Sequence, residues 1–169
     1  LPRDGESVSL AHDVETEPAL DNTRPFEMTM GGLGDAGLSV SDQWTVSYHG
    51  YAHTHLDALC HFSYDDQLYN GVPTDSITVE GCAKLAITNF KEGIVTRGVL
   101  IDIPYHRNVE FLEPGSPIYP EELDTWETQT GITVGSGDAV FIRTGRWKRR
   151  AVEGPWDIGS HVAGLHAST

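Results

Sequence analysis

A mixed α/β fold, rich in strands and with few helices, is the class that three features of this 169-residue sequence predict. Two nearly continuous apolar runs, "RGVLIDIP" and "GDAVFIRTG", are bounded by proline or glycine and have the length of strands buried on both faces. Period-two alternation in "SVSLAH" and along Trp44, Val46 and Tyr48 adds strands with one buried face. Helix signals are confined to one clear segment that starts near Pro120, with a second candidate over residues 79–90.

Taken in chain order, the strand "SVSLAH" is followed by "ETEPALDNTRPFEM", which reads as irregular. Pro18 and Pro25 cannot donate ladder hydrogen bonds, and Asp21 and Asn22 favour turns. In "GGLGDAG", Gly32, Gly34 and Gly37 have the spacing of a dinucleotide fingerprint, and Asp57 lies twenty residues further on. That fingerprint requires a helix to follow, whereas "LSVSDQWTVSYHG" alternates like a strand, so the glycines are read as a turn. "SYDDQLYNGVPTDS" has the punctuation of a long loop. The helix near Pro120 has proline at its first position, Glu121, Glu122 and Asp124 at the positive end of its dipole, and Leu123 with Trp126 as an apolar face. Gly131 is placed to end it. No internal repeat or low-complexity segment is present.

Eleven Lys and Arg against twenty-five Asp and Glu give a formal charge of −14, which repels phosphate backbones and anionic membrane surfaces. Nucleic acid and membrane are therefore not expected partners, and a small molecule is. The one basic run, Arg146 with Lys148, Arg149 and Arg150, reads as a solvated face. Cys60 and Cys82 make no disulfide framework, and Cys60 reads as a small buried hydrophobe. No charged-then-apolar leader pattern marks secretion, and no apolar run approaches the roughly twenty residues of a membrane helix, so a cytoplasmic location is expected. The length suits a single domain over residues 1–169. No G-x-S-x-G elbow occurs, which removes the commonest serine-hydrolase signature.

The chemistry is concentrated in "YHGYAHTHLDALCHF", residues 48–62. If this stretch is an extended strand, His49, Tyr51, His53, His55 and Asp57 project from one face, about 6.6 Å apart at Cα. Two imidazoles and a carboxylate meeting at a point would hold Zn²⁺ or Mn²⁺ with open coordination positions. His61, four residues past Asp57, would then act as a base without being a ligand. Satisfied hydrogen-bonding histidines or surface decoration are the bland alternatives.

"HTHLDALCH" resembles the signature of the cyclase family of metal-dependent hydrolases, which includes kynurenine formamidase and isatin hydrolase and is usually written H-x-G-T-H-x-D-x-P-x-H. Thr54, His55, Asp57 and His61 match it. "YDDQLYNGVP", "TRGVLIDIP", "GDAVFIRTGRW" and "AGLHAS" are similar to further blocks of that family, so the resemblance spans most of the chain.

The resemblance implies a swivelling β/β/α domain, usually dimeric, with divalent metal activating water against an amide, lactam or ester carbonyl. It implies His55 and Asp57 as ligands and His61 as the proton-transfer residue. Tyr51 stands where the family has its first metal histidine, His53 where it has glycine, and Leu59 where it has proline. A phenol is a poor ligand for these ions unless ionised, so His53 is read as the replacement ligand, and Tyr51 and Phe62 as substrate-binding. The aromatic residues Trp44, Tyr48, Tyr64 and Tyr69 would extend an apolar wall around the substrate or belong to the core. Relative to the family the chain is expected to be truncated at both ends. The rival reading is a non-catalytic or metal-free module that binds a small molecule.

Overall fold

The computed structural model describes residues 4–33, 37 and 39–169. In chain order the strands are β1 (Glu27–Leu33), β2 (Val40–Thr45), β3 (Gln67–Leu68), β4 (Val72–Pro73), β5 (Ile77–Thr78), β6 (Gly81–Cys82), β7 (Gly98–Asp102), β8 (Pro117–Ile118), β9 (Ala139–Arg143) and β10 (Gly164–Leu165). Three α-helices accompany them among the described residues: α1 (Ile103–Arg107), α2 (Pro120–Thr130) and α3 (Arg146–Glu153). The fold is thus mixed α/β and strand-rich, as expected. The chain divides into two compact units, residues 1–53 with 96–169 and residues 54–95.

The first unit is organised by β7 and β9, paired in parallel from Gly98 opposite Ala139 to Asp102 opposite Arg143. Val99 and Ile101 point into a core with Ile103, Leu112, Ile118 and Trp126. Burial on both faces was expected of these strands, but the other face, with Leu100 and Phe141, is largely exposed. Alternation is therefore retained even in a sequence that is apolar throughout. Asp102 caps α1 by accepting a hydrogen bond from the backbone N–H of Tyr105. Helix α2 starts at Pro120 and stops at Gly131, whose φ of 68° is the left-handed cap that glycine adopts without strain. Trp126 anchors its buried side.

Strands β1 and β2 pair antiparallel, from Glu27 opposite Thr45 to Leu33 opposite Val40. Strand β2, and no helix among the described residues, follows the glycines, which excludes a dinucleotide fingerprint. Gly34, the central glycine of the expected turn, lies outside the described residues. "SVSLAH" is not a strand; residues 7–12 are irregular and exposed, because alternation without a pairing partner does not make a strand. The candidate helix over 79–90 reduces to a single tight turn, Ile87–Phe90, after the β5–β6 hairpin. Gly81 at φ 127° and Leu85 at φ 59° break any helical run there.

The basic run is not a solvated face. It forms α3, where Arg146 Nη2 and Arg150 Nε donate to Asp21 Oδ2 at 2.9 and 2.8 Å, and Arg149 Nε donates to Glu113 Oε2 at 3.0 Å. Burial pushes the Arg146 guanidinium below its ordinary value, whereas the hydrogen bond to Asp21 raises Arg150. Trp147 carries the Arg146 guanidinium over its ring at 4.2 Å and stacks on His12 at 3.7 Å.

The second unit is held differently. Its regular structure is two short hairpins, β3–β4 and β5–β6, and tight turns; no α-helix occurs among its described residues. The expected long loop over "SYDDQLYNGVPTDS" is in fact the β3–β4 hairpin and its flanking turns, made by Asp65, Asp66 and Asn70 at positive φ and by Gly71. Asn and Asp tolerate that conformation better than other side chains. Ala58, Cys60 and Leu68 form its core, with Val72, Cys82 and Leu85 packed against them. Cys60 is buried, as expected, but is not a free thiol: it is bonded to Cys82, with Cα atoms 6.6 Å apart.

Candidate functional site

The expected strand over 48–62 does not form. Residues 46–58 have no regular secondary structure, and the chain bends through 49–53 at Gly50, whose φ is 136°. Burial confirms the break in alternation: the neighbours Ala52 and His53 are both buried. A strand would send them to opposite faces. The common face proposed for His49, Tyr51, His53, His55 and Asp57 is therefore corrected. An extended strand needs a pairing partner, and among the described residues this stretch has none.

The bend is followed within the second unit by a compact cluster. Ala58 precedes a single 3-10 turn, Leu59–His61, closed by the His61 N–H donating to the Ala58 carbonyl at 3.0 Å. That turn swings His61 back toward Asp57. Asp57 Oδ1 stands 3.4 Å from His61 Nδ1 and 3.5 Å from His55 Nε2. His55 is mostly shielded, while Asp57 at 52% and His61 at 40% side-chain exposure remain open to small molecules. Two imidazole nitrogens directed at one carboxylate oxygen form a donor set of the kind that Zn²⁺ and Mn²⁺ accept.

Of the other expected site residues, His53 and Tyr51 belong to the first unit and Phe62 to the second. His53 is buried at the end of the first unit. Tyr51 is half exposed and lines a cavity of about 260 Å³ in that unit, together with Asp21, Asn22, His49 and Asp157. Asp21, Asn22 and Asp157 were not anticipated as neighbours of this motif, and no local spacing signals them. Phe62 is 82% exposed, and Trp44, Tyr48, Tyr64 and Tyr69 are also exposed, so these rings are not core.

Fold and cluster together define a mixed α/β chain that carries a histidine–aspartate cluster on an irregular segment. The model of the Cyclase family matches residues 8–168, and the chain belongs to that family. A crystal structure of a novel cyclase is similar over 99% of this chain, with a TM-score of 0.80 and 28% sequence identity. The chain spans 60% of the length of that structure. Among curated proteins none matches. No described helix is long and apolar enough to cross a membrane.

Proposed function

We propose that this chain is a metal-dependent hydrolase that opens the amide, lactam or lactone carbonyl of a small cyclic or formylated substrate. The observation that carries the reading is the approach of His55 and His61 to the same oxygen of Asp57, at 3.5 and 3.4 Å. Nitrogen and carboxylate donors fit a divalent ion, Zn²⁺ or Mn²⁺, and His55 and Asp57 would hold it. Such an ion supplies Lewis acidity toward a carbonyl and lowers the pKa of water toward neutrality.

The chain's own residues supply the proton handling. With His61 Nδ1 turned toward Asp57 Oδ1, the carboxylate favours the tautomer that carries its proton on Nδ1. Nε2 is then the atom that accepts a proton from water and returns it to the leaving group. Asp57 orients the imidazole and compensates the positive charge that develops on it. Phe62, next to His61 in the chain, offers the substrate an apolar surface.

Family membership and the site support this assignment, together with a swivelling β/β/α arrangement, a single cyclase domain and a homodimer as the working form. A cytoplasmic location completes the proposal.

Elemental mass spectrometry after dialysis against a weak chelator tests the reading on the wild type and on His55→Ala, Asp57→Ala and His61→Ala. Near-stoichiometric metal in the wild type, lost in the first two variants, is expected. His61→Ala should keep its metal and lose turnover of model amides and lactones by at least about a hundredfold, the usual contribution of a general base. A wild type without metal sinks the mechanism.

A further inference from the structure

Cys60 is the central residue of the turn that presents His61, and it is bonded to Cys82, 22 positions away on β6. Around this bond the second unit has only a small apolar cluster, Ala58, Cys60 and Leu68 with Val72, Cys82 and Leu85. Its strands are two residues long, and Leu56, Phe62, Tyr64, Val79 and Val95 remain exposed. A unit of roughly forty residues with so small a core needs a covalent or metal cross-link to hold a fixed shape. The disulfide is the one covalent restraint there, and it acts on the residue immediately before His61.

We propose that the Cys60–Cys82 disulfide is a redox-sensitive staple that gates the histidine–aspartate site. The inference rests on the metal-site reading above and adds its regulation. Reduction by a dithiol passes two electrons and two protons to the S–S bond: Cys60 and Cys82 become thiols, and the dithiol leaves as its own disulfide. The Leu59–His61 turn then loses its long-range anchor. His61 no longer stays against Asp57, and the segment that holds His55 and Asp57 together loosens. By linkage, an ion held by His55 and Asp57 resists that loosening, so bound metal makes the disulfide harder to reduce. In a reducing compartment the bond would be transient, as regulatory disulfides are, and the hydrolase would be active only under oxidising conditions.

The test uses the full chain purified without reductant. Maleimide labelling under denaturing conditions, read by mass spectrometry, should find no free thiol before dithiothreitol and two after it. The reduced protein is desalted anaerobically and compared with the oxidised form in two measurements. Hydrogen exchange of residues 54–62 should accelerate at least tenfold, with β7 and β9 unchanged as the internal control. Mn²⁺ affinity, measured by titration calorimetry, should fall at least tenfold. The double variant Cys60→Ser, Cys82→Ser should match the reduced protein and ignore dithiothreitol, and saturating Mn²⁺ should slow reduction of the wild type. Two free thiols in the untreated protein, or exchange of residues 54–62 that reduction leaves unchanged, overturns the staple. If Mn²⁺ binds neither form while that exchange still accelerates, the staple stands and the metal reading falls.

Discussion

The two units of this chain keep their shape by different physics. The first buries Val99, Ile101, Ile103, Leu112, Ile118 and Trp126 in one cluster beneath a parallel strand pair and ties its basic helix to Asp21. The second carries the candidate site on turns and two-residue strands, with three buried apolar side chains and a disulfide. A site on such a unit can respond to small changes in cross-linking, because little apolar burial opposes its opening. A site on the first unit would be slow to respond for the opposite reason. The contrast predicts that stability and site integrity can be perturbed separately.

The strongest perturbation should be Ile103→Ala. Ile103 is fully buried at the start of α1, and its truncation should cost the first unit about 2–5 kcal/mol through lost transfer energy and a residual cavity. Denaturant unfolding followed through the tryptophans, all four of which lie in the first unit, should show a lower midpoint. Next in size is Cys82→Ala. Opening a loop with a 22-residue separation should cost about 3 kcal/mol, felt by the second unit and not by the tryptophan signal. If Cys82→Ala lowered the tryptophan midpoint as much as Ile103→Ala, the two units would share one cooperative transition and the contrast would be wrong.

A third substitution sharpens the picture within the first unit. Gly145 precedes α3 at φ 78°, and a Cβ there would meet Phe111 Cα and Cβ at 2.8 Å and the Glu110 carbonyl oxygen at 3.0 Å. Gly145→Ala should cost about 2 kcal/mol, combining left-handed strain with a clash against backbone. Thermal melting should show the loss, while hydrogen exchange of residues 54–62 stays at the wild-type rate.

How far the sequence alone reached follows the same division. Helix α2 was legible at both ends, because proline at the first position and glycine after the last are local signals. Strands β7 and β9 were legible as apolar runs, but their exposed face was not, since composition cannot say what covers a sheet. Helix α3 was missed: its four cations are held by Asp21, Glu15, Glu113 and Glu110, the first two more than a hundred residues away. In the site, the residue types of His55, Asp57 and His61 were readable and their convergence is observed. The means of convergence was not, because a 3-10 turn after a bend at Gly50 has no periodicity to read. Two cysteines with an unremarkable spacing likewise gave no hint of pairing.

The smallest expected effect concerns pH and again separates the units. Arg107 donates to both carboxylate oxygens of Glu122, at 2.7 and 2.6 Å, and this hydrogen bonding holds Glu122 below the usual carboxylate range. A carboxyl whose folded pKa is depressed contributes stability that is fully present above its unfolded value, near 4.3, and is lost as pH falls through the folded value. The pair joins α1 to α2, so its loss should weaken only the first unit, by about 0.5–1 kcal/mol. Glu122→Gln should lower stability by that amount at pH 7 and match the wild type once the carboxyl is protonated in both folded and unfolded chains. Urea midpoints of the two proteins between pH 7 and pH 3 check this: a gap that closes on acidification confirms the pair, and a constant gap assigns the cost to packing of the new amide instead.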